Sequence, residues 1–136
     1  MSNENRRRST EKMKKKWLSL LVVFSMLVLP MTKLKTIETE RLMTRAVSNT
    51  AKSATYETML ALLTVAVNRA RYMGISDMER ALVSGGFQFG FTVDEHAQEA
   101  AHAVMLGERM FDADVVCFST NAPKGSAEHI GHFYFY

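Results

Sequence analysis

The run Tyr56–Met73, YETMLALLTVAVNRARYM, decides how this chain folds. From Met59 to Val67 its apolar residues occupy every side of a helical wheel. A helix of that kind is stable in a globular domain only when neighbours cover all of its faces. Thr55 or Ser53 can cap its start, and Arg69 and Arg71 fall in the last turn, where cations suit the helix dipole. Gly74 is a good residue for ending it. The sequence therefore predicts one buried central helix with everything else packed around it.

Moving toward the C-terminus, Ser76-Asp77-Met78-Glu79 has the pattern of a capping box and predicts a short helix reaching Val83. Gly85-Gly86-Phe87-Gln88-Phe89-Gly90-Phe91 is a glycine-rich loop carrying three aromatics. Thr92-Val93-Asp94-Glu95 is a second capping-box pattern, opening a helix to about Leu106 with Gly107 as its stop. Ala97, Ala100, Ala101, Ala103 and Val104 give that helix a close-packing side. Val115–Ser119 reads as a strand, Thr120–Ile130 as a polar loop, and His132–Tyr136 as a closing strand of alternating Phe and Tyr. Helices first and a small antiparallel β element last make an α+β domain.

Toward the N-terminus, Ser48–Ala54 is small and polar, and its Ser and Asn compete for backbone hydrogen bonds, so a helix break or lead-in loop is expected there. Before it, Leu34, Ile37, Leu42 and Met43 recur at near-helical spacing within Lys33–Arg45, a first amphipathic helix. The organisation read from the sequence is a basic tail over 1–16, an apolar block over 17–31, a connector or first helix over 32–46, and a main domain over 47–136.

The formal net charge of the 136 residues is +3, but the charge is unevenly placed. Residues 1–16 hold seven basic and two acidic side chains, a net +5, which leaves ten basic and twelve acidic residues, a net −2, in the rest. The sequence shows no broad cationic face of the kind nucleic acid requires. Directly after the basic tail, WLSLLVVFSMLVLPM (Trp17–Met31) has no ionisable side chain. A cationic flank before a short apolar block is the pattern of a signal peptide or a signal anchor. The expected topology puts the basic end in the cytoplasm and everything after Thr32 outside, with the membrane as a partner through residues 17–31.

With Cys117 as its one cysteine, the chain can form no internal disulfide. Cys117 lies in an apolar run, where a free thiol packs as a small hydrophobe; a catalytic thiol would pair with His129 or His132 in a positive setting. Glu128, His129 and His132 have spacing compatible with a three-ligand zinc site, although surface imidazoles account for them more simply. His96 and His102 are six apart, on different sides of a helix. The sequence implies no metal and no cofactor.

The stretch Val47–Glu57, VSNTAKSATYE, resembles the start of the SleB/CwlJ-type (spore cortex-lytic enzyme-like) cell-wall hydrolase domain, where V-x-x-E-A-R-G-E-x-Y-E runs into a helix ending in Asn-Arg. Val47, Ala51, Lys52, Tyr56 and Glu57 fall on the family's Val, Ala, Arg, Tyr and Glu, and Asn68-Arg69 on its Asn-Arg. Gln88-Phe89 matches a Gln-Phe loop, the Ala-rich helix ends at Gly107, and Ile130-Gly131-His132-x-x-Phe135-Tyr136 resembles the family's I-G-x-H-x-F-Y ending. The resemblance implies a lysozyme-like fold and cleavage of peptidoglycan glycan strands, by hydrolysis or by lytic transglycosylation, outside the cytoplasm. Cleaving a glycosidic bond needs an acid to protonate the leaving oxygen. Thr50 occupies the family's acid position and Ala54 that of its second Glu. Glu57 is therefore the candidate catalytic residue, although its place in the first turn of a helix is explained more simply on dipole grounds. Gln88, Phe89, Tyr56 and Tyr134 are the candidate glycan-binding residues, through an amide that pairs with N-acetyl groups and rings that stack on sugars. A catalytically degenerate relative that binds glycan or a partner hydrolase is the alternative.

Overall fold

The computed structural model describes residues 35–136, so the expected basic tail and apolar block (1–16 and 17–31) lie outside the described residues. A helix over residues 35–50 (α1) is followed by α2 (Tyr56–Tyr72), α3 (Met78–Ser84) and α4 (Glu95–Met105). Three short strands close the chain: β1 (Phe118–Ser119), β2 (Glu128–Ile130) and β3 (Phe133–Phe135). The molecule is thus helical with a small antiparallel sheet at its C-terminal end. Among the described residues, no helix is long and apolar enough to cross a membrane.

The apolar run forms the central helix that its pattern requires. Met59, Ala61, Leu62 and Leu63 are fully buried, and every α2 residue from Thr58 to Asn68 is buried. α2 packs against α3, α4 and β2. Burying each large aliphatic side chain contributes about 1.5–3 kcal/mol, so this rod carries much of the hydrophobic stabilisation. Its polar members are anchors. Thr64 donates to Leu60 O (2.8 Å) and accepts from the Met110 amide (3.1 Å), while Asn68 Nδ2 donates to the carbonyls of Asp112 (2.7 Å) and Val115 (3.1 Å). Together they bind the irregular 110–115 segment to the rod.

The caps refine the sequence reading. Thr55 caps α2, its hydroxyl accepting from Thr58 N. α3 and α4 are capped by Asp77 and Asp94, each accepting from the amide two residues on. Ser76 and Thr92, which open the two box patterns, are not the capping residues. α4 buries Ala97, Ala100, Ala101 and Val104, small enough to let it approach α2 closely.

The largest departure from expectation is at Ser48–Thr50, which continue α1 where a break was expected. The break comes at Ala51–Ser53. The reason is local: the side chains bond back inside the helix. Thr44, Ser48 and Thr50 hydroxyls donate to the carbonyls of Glu40, Thr44 and Ala46, and Asn49 Nδ2 to Arg45 O. Back-bonding of this i→i−4 kind satisfies these polar side chains without unwinding the helix. The buried stripe of α1 is Met43, Ala46 and Val47, whereas Ile37 is exposed.

In the sheet β3 is central, paired antiparallel with β1 (Phe118 opposite Phe135) and with β2 (Ile130 opposite Phe133). Only two residues of the expected Val115–Ser119 strand are paired as strand, and the expected polar loop contributes β2. Cys117 and Tyr136 extend the β1–β3 ladder by exchanging backbone hydrogen bonds (2.8 and 3.0 Å). Beneath the sheet, Phe87, Phe118 and Phe133 meet edge to face, with ring centroids 5.1 and 5.7 Å apart, and Phe111 lies 5.0 Å from Phe135. Phe87 of the aromatic loop therefore belongs to the core.

Candidate functional site

A cleft of about 640 Å³ opens at the N-terminal end of α2. That volume lies within the roughly 300–1,000 Å³ of small-molecule sites. One wall is the end of α1, the turn and the first turn of α2: Thr50 to Thr55, Glu57 and Thr58. The other wall is the β2–β3 hairpin, Ile130 to Phe133.

Two backbone features shape it. Ser53 takes φ 58°, the left-handed region that costs a side chain roughly 1 kcal/mol or more and that glycine enters freely. Gly131, first residue of the two-residue hairpin turn, takes φ 61°. Hairpins of this length demand a positive φ there. A Cβ on Gly131 would also stand 2.8 Å from Thr58 Oγ1. The hairpin and the start of α2 touch so closely only because that residue has no side chain.

The walls are polar at the rim. They offer the hydroxyls of Thr50, Ser53 and Thr55, the Lys52 ammonium, the Glu57 carboxylate and the His132 imidazole. Among the described residues lining the cleft, Glu57 is the one carboxylate, and it is exposed. Thr50 is already engaged: its hydroxyl donates to Ala46 O (2.8 Å) and accepts from the Gln88 amide (2.8 Å). It ties the aromatic loop to the end of α1.

Of the residues singled out from the sequence, the cleft brings together Glu57 and Thr50. Gln88 adjoins it through its backbone bond to Thr50, with its side chain exposed. Tyr56, Phe89 and Tyr134 are not among the lining residues. The Tyr56 hydroxyl donates to Glu108 Oε1 at 3.4 Å. Desolvation and then the Glu108 charge push its phenol above the usual tyrosine range. Tyr134 stacks on His129, centroids 4.5 Å apart and planes at 20°. Phe89 is 41% exposed on the loop. Ile130 and Gly131 open the closing Ile-Gly-His pattern, but nothing in the sequence sets them or Phe133 beside the start of α2. Their place follows from a hairpin folding back on a helix more than 70 positions earlier. Among the described residues, no group of three or more His, Cys, Asp or Glu side chains is placed to hold a metal ion. Half-buried Cys117 accepts a long contact from Arg69 Nη1, 3.7 Å.

The arrangement can hold a polyhydroxylated ligand through short hydroxyl, ammonium and imidazole groups, and can offer it one carboxyl. No protein-family model matches this chain, and no curated protein or solved structure matches it.

Proposed function

We propose that this chain is a SleB/CwlJ-type, lysozyme-like cell-wall hydrolase domain. In this reading it acts outside the cytoplasm, tethered or delivered by residues 17–31, and takes a peptidoglycan glycan strand in the cleft at the tip of α2. The observation that carries the reading is the cleft itself: a sugar-sized opening where the resembled pattern puts its acid, built from the Thr50–Thr55 run and closed by the Ile130–Phe133 hairpin. A second feature supports it. The one non-glycine residue with positive φ among the described residues, Ser53, stands where the pattern V-x-x-E-A-R-G-E has its glycine. A left-handed backbone at that position is one that glycine enters freely, which supports the alignment with the pattern's glycine.

Cleavage, in this reading, rests on Glu57 as proton donor to the leaving glycosidic oxygen, and lytic transglycosylation needs no second carboxylate because a hydroxyl of the sugar attacks. Glu57 is exposed, outside the kind of apolar pocket in which glycoside-cleaving acids work. Its activity is therefore expected to be low. The full chain should give weak clearing in a zymogram of purified peptidoglycan, and Glu57→Gln should abolish it; clearing that survives the substitution excludes Glu57 as the acid.

The engagement of Thr50 favours a second reading, a domain that holds glycan without cleaving it. A hydroxyl spent on two structural hydrogen bonds is a support for the loop, and threonine cannot donate a proton to a glycoside at neutral pH. The zymogram separates the two: no clearing by the wild type, together with retention on insoluble peptidoglycan, is the signature of the binder.

A further inference from the structure

The loop that Thr50 supports is held with unusual thoroughness for a segment so exposed. Four side chains from the last turns of α1 grip it. Arg45 Nε donates to Gly90 O (3.0 Å), Ser48 Oγ accepts from Asp94 N (3.0 Å), Asn49 Nδ2 donates to Thr92 O (3.1 Å), and Thr50 Oγ1 accepts from Gln88 N (2.8 Å). The fit is close enough that a Cβ on Gly90 would collide with the Asn49 amide. Fixing a loop costs conformational entropy, which here is not offset by burying the loop's outer side chains. Phe89 is 41% exposed, Phe91 94% and Val93 60%. The Arg45 guanidinium lies 5.5 Å from the centroid of the Phe91 ring and steadies it from one side.

Single exposed apolar residues are ordinary on protein surfaces. Three fall within five positions on a loop fixed by four hydrogen bonds from one helix, so they are presented from a prepared backbone. Thr50 joins this loop to the cleft, because the residue that receives the Gln88 amide is also part of the cleft wall. We infer that Phe91, with Phe89 beside it, is a stacking platform that holds the glycan strand where it leaves the cleft. The occupant follows from continuity with the cleft and from chemistry: an aromatic face pairs with the C–H face of a pyranose ring, and a rigid ring on a fixed loop binds without further ordering cost. The inference rests on the cleft being a glycan site.

The test is sedimentation of the full chain with purified, protein-free insoluble peptidoglycan, comparing wild type, Phe91→Ala and Phe91→Trp. The Phe91 side chain contributes nothing to the core, so both variants should show the helical circular dichroism and thermal midpoint of the wild type. Phe91→Ala should bind on the order of tenfold more weakly, and Phe91→Trp should bind at least as well as wild type. Equal binding by wild type and Phe91→Ala overturns the platform and leaves the cleft reading standing. Absence of binding by the wild type overturns both.

Discussion

Replacing Asn68 with leucine is expected to destabilise the domain by about 2–4 kcal/mol, the range for removing a buried donor from two carbonyls. Asn68 is only 2% exposed, and its amide reaches Asp112 O and Val115 O, more than 40 positions along the chain. Leucine matches its size and is more apolar, so a volume effect cannot explain a loss. What is removed is the one group of α2 that tells the 112–115 segment where to lie, and this segment leads directly into β1. The midpoint of thermal unfolding should fall by roughly 10–20 °C in a domain of this length. A shift of a degree or two would mean that the segment is held by its apolar neighbours alone.

Thr50→Glu is expected to have the largest effect on chemistry. Residue 50 is the last of α1 and lies in the cleft wall. A carboxyl there sits at the negative end of the helix dipole, which disfavours its charged form and so favours the protonated acid that glycoside cleavage uses. The longer glutamate side chain cannot place an oxygen where the threonine hydroxyl bridges Ala46 O and the Gln88 amide, so a loss of about 1 kcal/mol in stability should accompany the change. Clearing of peptidoglycan should rise by about a hundredfold or more, the usual contribution of a positioned general acid. If the variant folds and clears no better than wild type, the cleft lacks the geometry of a glycan-cleaving site.

How much of this was legible in the sequence depended on how local the cause was. α2 was readable because an all-round apolar run has one stable solution in a globular domain. The α3 and α4 starts were readable to within two residues, but the patterns pointed to Ser76 and Thr92 while Asp77 and Asp94 do the capping. A short acidic side chain one or two positions after a hydroxyl residue leaves that choice to backbone geometry. The α1 extension was missed because Ser, Asn and Thr signal a break unless their side chains bond back four residues, and whether they do depends on the loop packed against them. Half of the cleft was legible: the Thr50–Glu57 wall is contiguous in sequence. The Ile130–Phe133 wall was not, since it arrives through strand pairing and a glycine contact with Thr58 across the fold. The aromatic loop divided in a way composition could not foresee, with Phe87 buried among Phe118 and Phe133, and Phe91 left outside.

The reading as a whole turns on whether the opening at the tip of α2 receives a glycan strand. The most direct measurement is retention of the full chain on insoluble, protein-free peptidoglycan, compared between wild type and Ala54→Trp. The indole would occupy the cleft from one of its half-exposed lining positions. Wild type should be retained, and Ala54→Trp, with its helical circular dichroism unchanged, should remain in solution. Equal retention of the two proteins, or no retention of either, would contradict the assignment of the cleft.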